Sequence, residues 1–204
     1  MATSCPIDLD VLRLRSEIAS LYTRVAAQPD GEFHFHRGPA YAAAFLGYDA
    51  TELEALPADC SRSFAGVGNP HLIAPIDASA TVVDIGCGAG MDLLLAAHRV
   101  GGTGKAIGVD MTPDMRDRAR SAAAAQGLRH VGVIEGDATS LPLPDASTDV
   151  VISNGVLNLV PEKDKAFREI VRILRPGGRL QLADIVVQAP LSEDIRRNVD
   201  LWAA

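Results

Sequence analysis

A glycine-rich turn constrains the fold of this chain more than any other feature of its sequence. The turn lies between an apolar run that starts at Thr81 and a helix-forming run that starts at Met91, and it reads Asp84-Ile85-Gly86-Cys87-Gly88-Ala89-Gly90. Glycine lets a backbone approach a ligand closely, and the first N–H groups of a helix have no partner within that helix. The pattern therefore predicts a ligand site where a strand turns into a helix.

The spacing of these glycines argues against a dinucleotide ligand. Sites that hold a pyrophosphate at a helix N-terminus use the spacing G-x-G-x-x-G. Here the glycines alternate, and the leading Asp84 would repel a phosphate but suits a cation. The sequence also lacks an obvious paired Tyr and Lys for hydride transfer, so a nucleotide-dependent oxidoreductase is disfavoured.

From Thr81 onward, short β-branched runs alternate with helical runs, which is typical of βαβ units. The predicted strands are Thr81–Ile85, Lys105–Val109, Val131–Ile134, Thr148–Ser153 and Arg179–Val186. The predicted helices are Met91–Val100, Thr112–Gln126 and Glu162–Leu174, and Thr112-Pro113 and Gly127 mark the two ends of the second helix. We therefore predict an α/β fold, a Rossmann-like domain with a mainly parallel sheet.

The residues before Thr81 have a different pattern. Asp8–Ala27 is amphipathic with helical spacing, Thr51–Leu56 predicts a short helix, and Pro29–Tyr48 is rich in Gly, His and aromatic residues without a clear period. We expect residues 1–75 to form an N-terminal helical cap and substrate-side lid, and residues 76–204 to form the ligand-binding Rossmann-like domain.

Composition excludes several classes of function. The 204 residues carry a formal net charge of -7, so nucleic acid is not an expected partner. No apolar run reaches the roughly 20 residues of a membrane-spanning helix, and the first residues do not form a secretion signal. We expect a cytoplasmic protein with no membrane partner, whose three cysteines, Cys5, Cys60 and Cys87, are small apolar or loop residues and not metal ligands.

Carboxylates also follow the next two predicted strands. Asp110 follows the second strand, where an acid in Rossmann-type sites binds ribose hydroxyls. Asp137 follows the third strand, where its side chain can accept the amino group of an adenine. A single acid at a strand end is often merely solvated, but three on successive strands converge on the edge at which open α/β sheets bind ligands.

Together these segments resemble the seven-strand family of S-adenosylmethionine-dependent methyltransferases, over about residues 82–186. The resemblance implies S-adenosylmethionine as cofactor. It implies that Gly86, Gly88 and Gly90, with Cys87 between them, face the methionine part, and that Asp84 holds its amino group.

The same resemblance assigns the remaining site residues. Asp110, followed by Met111, would bind the ribose, and Asp137 with Ala138 would contact the adenine. Asn154 would lie at the junction between the sulfonium and the acceptor. It is therefore a candidate cofactor contact and the candidate catalytic residue, which would orient the acceptor. The alternative is that Asn154 and Asn158 simply bond to backbone groups at the end of the strand.

A closer resemblance, to the arsenite methyltransferase family, extends from about Tyr41 onward and includes segments that no generic cofactor pocket requires. These segments are Leu46-Gly47-Tyr48, Ala55-Leu56-Pro57, Gly68-Asn69-Pro70, Gly108-Val109-Asp110-Met111-Thr112-Pro113-Asp114-Met115, Ile152-Ser153-Asn154-Gly155-Val156-Leu157-Asn158-Leu159 and Leu180-Gln181-Leu182-Ala183-Asp184-Ile185.

The chain departs from that family where arsenic would be bound. The family binds arsenic(III) through cysteines, but two of these positions are Val67 and Gly155 here, and Cys60 could substitute only if its loop folds back. The family also continues beyond a segment like Val199-Asp200-Leu201-Trp202. We therefore expect a sheet truncated after its fifth strand, and a homodimer through the exposed edge and a terminal helix Ser192–Trp202.

The function implied is methyl transfer to a small molecule, with a soft nucleophile as acceptor. The alternative is a truncated, catalytically inactive S-adenosylmethionine-binding protein. His34 and His36 would lie on one side of an extended segment and could touch the acceptor or serve as a base, but packing in the lid is favoured. Two histidines without a third ligand do not predict a metal site.

Overall fold

The sheet contains five parallel strands with the first strand at its centre. In this computed structural model, which describes residues 10–188 and residue 192, the strand order is β3-β2-β1-β4-β5. The strands are β1 Thr81–Ile85, β2 Lys105–Asp110, β3 Val131–Glu135, β4 Thr148–Asn154 and β5 Leu174–Ala183. The chain moves outward on one side of β1 and then returns to its other side, so a ligand cleft is expected at the carboxyl ends of β1 and β4. The Rossmann-like α/β fold is confirmed.

Four helices precede the sheet and form the cap. They are α1 Val11–Ala27, α2 Gly38–Leu46, α3 Ala50–Glu54 and α4 Ala58–Arg62. Helix α1 begins where the Asp10 side chain accepts a hydrogen bond from the Arg13 N–H at 2.9 Å. Its buried side, which includes Leu14 and Ile18, packs against Met111 and Leu159 of the sheet domain.

Three helices cover the sheet: α5 Met91–Val100, α6 Pro113–Ala125 and α7 Lys163–Ile173. Alternate residues of β1 point to opposite faces. Val83 lies in one apolar cluster with Ile170 of α7, and Val82 lies in another with Ala96 of α5. None of the helices in the described part of the chain is both long and apolar enough to span a membrane.

The parallel register brings the strand ends together. Ile85 pairs with Val109 and with Ser153, and Asp110 pairs with Glu135. The residues that follow β1, β2, β3 and β4 therefore meet at one edge of the sheet, as the sequence predicted.

The prediction for the fifth strand is wrong in its bounds. The strand was expected at Arg179–Val186 but spans Leu174–Ala183, because Leu174 already pairs with Thr148 and the residues between Leu174 and Arg179 form an irregularity in β5 opposite Asp149. The strand ends earlier because the Asp184 side chain accepts backbone N–H groups of Ile185 and Asn158.

Helix α2 was not expected from the sequence, since it lies within Pro29–Tyr48, where no clear period was found. This helix is apolar on nearly all sides and has no 3.6-residue period for the sequence to reveal; it stops at Gly47, whose φ is 74°. Helix α4 was also not expected. The predicted helix Ser192–Trp202 lies outside the described residues apart from Ser192 itself, and the homodimer remains a prediction.

Docking of α1 on the sheet domain can be tested with two leucines of the same helix. Leu14 is fully buried and Leu12 is 78% exposed. We expect Leu14→Ala to lower the free energy of unfolding by about 2–5 kcal/mol, because it leaves a cavity between α1 and the sheet domain. Leu12→Ala should change it by less than about 0.5 kcal/mol. Urea unfolding followed by circular dichroism checks both variants, and equal effects would show that α1 is not docked.

Candidate functional site

A deep cleft opens at the carboxyl ends of β1, β2 and β4 and is covered on the other side by α1 and residues 60–66. It encloses about 1150 Å³ of empty space, part of it open to solvent, which is the size range of small-molecule sites. All ten of the site residues predicted from the sequence line it: Asp84, Gly86, Cys87, Gly88, Gly90, Asp110, Met111, Asp137, Ala138 and Asn154.

The glycine turn is held against the second strand. The backbone N–H groups of Gly86 and Cys87 both donate to the Val109 carbonyl, at 2.7 and 3.2 Å. Gly86 and Gly88 have φ of 70° and 52°, a region that side chains disfavour. A Cβ on Gly86 would lie 2.3 Å from the Val156 side chain, whereas a Cβ on Gly88 would project into open space. The turn thus presents bare backbone to the cleft at Gly88.

Asp84 lies at the start of this turn and has an unsatisfied oxygen. Its side chain is buried, the Leu93 backbone N–H bonds to the carboxylate, and the Oδ2 atom has no hydrogen-bond partner among the described residues. Burial, together with the nearby charges of Asp92 and Asp110, raises the pKa of Asp84 well above its usual range. A cation placed in the cleft would stabilise the ionised form, so the residue is suited to bind an ammonium group.

Asp110 shapes the next part of the cleft. Its Oδ2 atom accepts from the Gly88 N–H at 2.9 Å and its Oδ1 atom from the Thr112 N–H at 2.8 Å. Burial raises the pKa of Asp110, and these backbone donors oppose that shift. The Thr112 side chain also bonds to this carboxylate, and at least one acceptor position remains for a hydroxyl group of a ligand.

Both carboxylate oxygens of Asp137 have partners. Its Oδ1 atom accepts from the N–H and hydroxyl of Thr139 at 2.7 and 2.6 Å, and its Oδ2 atom pairs with Arg15 of α1 at 2.9 Å. One acceptor position on Oδ2 therefore remains for an amino group of a ligand. The partner from α1 was not predicted from the sequence.

Asn154 joins the sheet domain to the cap. Its Oδ1 atom accepts the N–H groups of Val67 and Gly68, at 2.8 and 3.2 Å, and its Nδ2 atom lies 2.8 Å from the Gly68 carbonyl and 3.0 Å from Asp92 Oδ2. A Cβ on Gly66 would lie 2.4 Å from this same nitrogen. Both polar atoms of the Asn154 amide therefore form hydrogen bonds that fix residues 66–68 beside the cleft.

Three residues of this buried network were not among the predicted site residues. Asp92 Oδ1 accepts from the Tyr48 hydroxyl at 2.7 Å and lies 3.1 Å from His71 Nε2. Tyr48 belongs to the Leu46-Gly47-Tyr48 segment and His71 follows Gly68-Asn69-Pro70, two segments that carry the closer family resemblance. Those segments were the available signal, since they are far apart in sequence and meet here.

The positions that replace the expected arsenic ligands are neighbours in space. A Cβ on Gly155 would lie 3.4 Å from Val67 Cγ1. Cys60 and Cys87 both line the cleft and are buried; burial raises the pKa of Cys60 to about 12 and that of Cys87 well above its usual range. Within residues 10–188 and 192, no three His, Cys, Asp or Glu side chains form a metal-binding group.

His34 and His36 do not reach the cleft. Both are exposed; His34 packs edge-on against Phe35 with ring centroids 4.9 Å apart, and His36 stacks on Tyr41 at 5.0 Å. The possible role of these histidines as acceptor contact or base is therefore wrong, and the packing role is the one the structure shows. Their exposure follows from the alternation of this extended segment, which turns Phe33 and Phe35 inward.

Comparison with known proteins places this geometry in a family context. A family model described as a methyltransferase domain matches residues 76–204. An arsenite methyltransferase of Halobacterium salinarum is 44% identical over 155 residues, which are 76% of this chain and 39% of that protein. An arsenite methyltransferase of Aquipseudomonas alcaligenes is 39% identical over 130 residues, 59% of this chain and 37% of that protein. The chain thus spans about two fifths of the length of these curated relatives.

A solved structure shares both the fold and much of the sequence. The crystal structure of an arsenic(III) S-adenosylmethionine methyltransferase from Chlamydomonas reinhardtii matches with a TM-score of 0.66 and 35% identity, over 71% of this chain and 51% of that one.

The burial of Asp84 predicts a pH dependence of stability. The folded protein holds the Asp84 proton more tightly than the unfolded chain does, so this residue stabilises the fold most at low pH and loses that contribution as pH rises from about 4 through its raised pKa. Asp84→Asn keeps the oxygen that accepts from Leu93 but cannot ionise. Its stability relative to the original protein should therefore grow with pH, by up to about 1.4 kcal/mol per pH unit.

Urea unfolding of both proteins at several pH values between 5 and 8 measures this difference. Asp117→Asn, at an exposed side chain, is the control and should show no such trend. A stability difference for Asp84→Asn that is independent of pH would contradict the buried, raised-pKa carboxylate.

Proposed function

The chain belongs to the methyltransferase-domain family, close to the arsenite methyltransferases, and on that premise we propose that it transfers the methyl group of S-adenosylmethionine to a small-molecule acceptor that is a soft nucleophile. The observation that carries this proposal is the unpartnered Oδ2 atom of Asp84 at the start of a bare glycine turn in the cleft. A buried acceptor without a donor is destabilising unless a ligand supplies one.

The residues of the cleft fit this cofactor along its length. Asp84 would accept the ammonium group of the methionine part, and Gly88 leaves space beside it. Asp110 would bind the ribose hydroxyls through its remaining acceptor capacity, and the remaining position on Asp137 would accept the adenine amino group. When bound, S-adenosylmethionine supplies a sulfonium-bound methyl group.

The lining of the cleft favours an acceptor from which no proton must be removed. The residues that line it in the described part of the chain include no His, Lys or Glu. Three of its acids lie at or near the carboxyl ends of strands on the proposed cofactor side, and the fourth, Asp92 of α5, already accepts from Tyr48 and Asn154. On the opposite side are the neutral groups Cys60, Ser63 and Phe64. Thiolates, selenolates and arsenic(III) attack through an existing lone pair, so holding donor and acceptor in line can supply much of the rate.

We assign Asn154 a positioning role in this reaction. Its amide fixes the backbone of Val67 and Gly68, which forms part of the cap opposite the glycine turn. The catalytic role predicted for Asn154 would then be exerted by holding the acceptor side of the cleft in place.

The direct test of the cofactor assignment is the affinity of S-adenosylhomocysteine, the demethylated product. We expect Asp110→Ala to weaken its binding by about 1.5–3 kcal/mol, the loss of charge-assisted hydrogen bonds to the ribose. Asp110→Asn should weaken binding while keeping more of the backbone contacts to Gly88 and Thr112. Isothermal titration calorimetry measures both variants, with Asp117→Asn as the control.

Unchanged affinity in both Asp110 variants would overturn the assignment of the ribose site. Formation of S-adenosylhomocysteine from S-adenosylmethionine with a panel of thiol, selenol and arsenic(III) acceptors separates the enzyme from the alternative function. Tight binding without turnover on any acceptor of the panel would favour a cofactor-binding protein that is catalytically inactive.

Arsenite is predicted to be a poor acceptor for the chain as it stands. Val67 and Gly155 supply no soft ligand, and the raised pKa of Cys60, about 12, keeps that thiol protonated at neutral pH. We expect little or no methylarsenic product. Because Val67 and Gly155 are adjacent, Val67→Cys with Gly155→Cys should create arsenic(III) binding, although the positive φ of Gly155 will cost about 1–2 kcal/mol of stability.

Binding of arsenic(III), measured by isothermal titration calorimetry, and mass spectrometry of the products test this expectation. The double serine variant at the same two positions is the control, since serine has the same size but is not a soft ligand. Robust methylarsenic production by the unsubstituted chain would show that Cys60 or another thiol serves instead.

A further inference from the structure

Helix α1 forms one wall of the cleft, and the side chains that it contributes have no role in the proposal so far. Arg15, Ile18 and Tyr22 all line the cleft, and their i, i+3, i+7 spacing places them on one face of the helix. Leu14 and Val25 are fully buried and anchor the same helix. The contacts of α1 therefore face two ways, toward the sheet domain and toward the space that a ligand would fill.

Tyr22 of α1 and Asp110 of β2 line the same cleft. Burial, followed by the charge of Asp110, raises the pKa of Tyr22 to about 12, so the phenol stays neutral and can donate. Its ring packs near Phe35, with centroids 6.4 Å apart, while its hydroxyl forms no hydrogen bond within the described residues. The Tyr22 hydroxyl is thus free to donate to a ligand in the same cleft as Asp110, the residue that we assign to the ribose.

Arg15 connects α1 to two segments at the other end of the cleft. Its Nη2 atom lies 2.9 Å from Asp137 Oδ2 and 3.7 Å from Glu162 Oε2, and it donates to the Thr139 hydroxyl at 3.3 Å. About one third of the Arg15 side chain and of the Asp137 side chain is exposed, so solvent can reach this contact. One cation therefore ties α1 to the residues after β3 and to the start of α7.

We propose that α1 forms the outer wall of the cofactor site. Tyr22 contacts the bound cofactor beside Asp110, and the ion pairs of Arg15 with Asp137 and Glu162 hold α1 in place. The cofactor therefore exchanges only when these ion pairs open. The inference rests on the proposed function, because it concerns the same ligand. It adds two binding-site residues that lie outside the glycine turn and the strand ends.

The rate at which S-adenosylhomocysteine leaves the protein tests the role of Arg15. Stopped-flow displacement should show release about 2- to 5-fold faster in Arg15→Ala, as expected for loss of a partly exposed ion pair. Arg24→Ala on the same helix changes an exposed arginine and should leave release unchanged. Salt should speed release from the original protein more than from Arg15→Ala, because salt screens the ion pair.

Two further measurements concern the wall itself. Tyr22→Phe should weaken S-adenosylhomocysteine binding about 3- to 10-fold through loss of one hydrogen bond, with circular dichroism confirming the fold. Amide hydrogen exchange across residues 11–27 should slow when the ligand binds.

The outcomes separate the two proposals. If the original protein fails to bind S-adenosylhomocysteine, the proposed function fails. If it binds, but release from Arg15→Ala equals that of the original protein and exchange in residues 11–27 is unaffected by ligand, the inference about α1 is overturned while the cofactor assignment stands.

Discussion

A carboxylate buried without a partner for one of its oxygens is the constraint around which the site is built. Asp84 ends up in this position because β1 is central in the sheet and the chain must turn at once into α5, leaving the side chain at the start of the glycine turn. Desolvation of an ionised carboxylate is costly, and Asp92 and Asp110 add like charge. An ammonium group bound in the cleft would offset the cost of burying the ionised Asp84 carboxylate. The same buried group therefore lowers the stability of the free protein and favours binding of a cationic ligand.

The second requirement is that the cap remain in place over the turn. Asn154, Asp92, Tyr48 and His71 form a buried polar network in which each side chain has at least one partner from another segment. Such a network holds one arrangement of the cap more specifically than apolar packing alone, since any shift leaves a buried polar group without a partner. The apolar contacts of Leu14 and Ile18 add affinity between α1 and the sheet domain.

The sequence predicted the sheet domain well and the cap poorly, for physical reasons. Strands with β-branched runs and helices with a 3.6-residue period are local signals, and the acids that follow them converge because parallel strands share one edge. Helix α2 has no polar side to create a period, and the extent of β5 depends on a register shift against β4. Arg15, which pairs with Asp137, and Val67 and Gly68, which bond to Asn154, are each more than 80 positions away from those residues, so no local pattern in a single sequence reveals these contacts.

We expect Asp84 to be neutral in the free protein and ionised beside the ammonium group of the ligand, and proton release on binding measures that change directly. Calorimetric titration of S-adenosylhomocysteine at one pH, in buffers of different ionisation enthalpy, gives the number of protons released. At a pH between the usual carboxyl range and the raised pKa of Asp84, the account predicts net release of protons on binding, abolished in Asp84→Asn. Binding with the same enthalpy in every buffer across that pH range would contradict it.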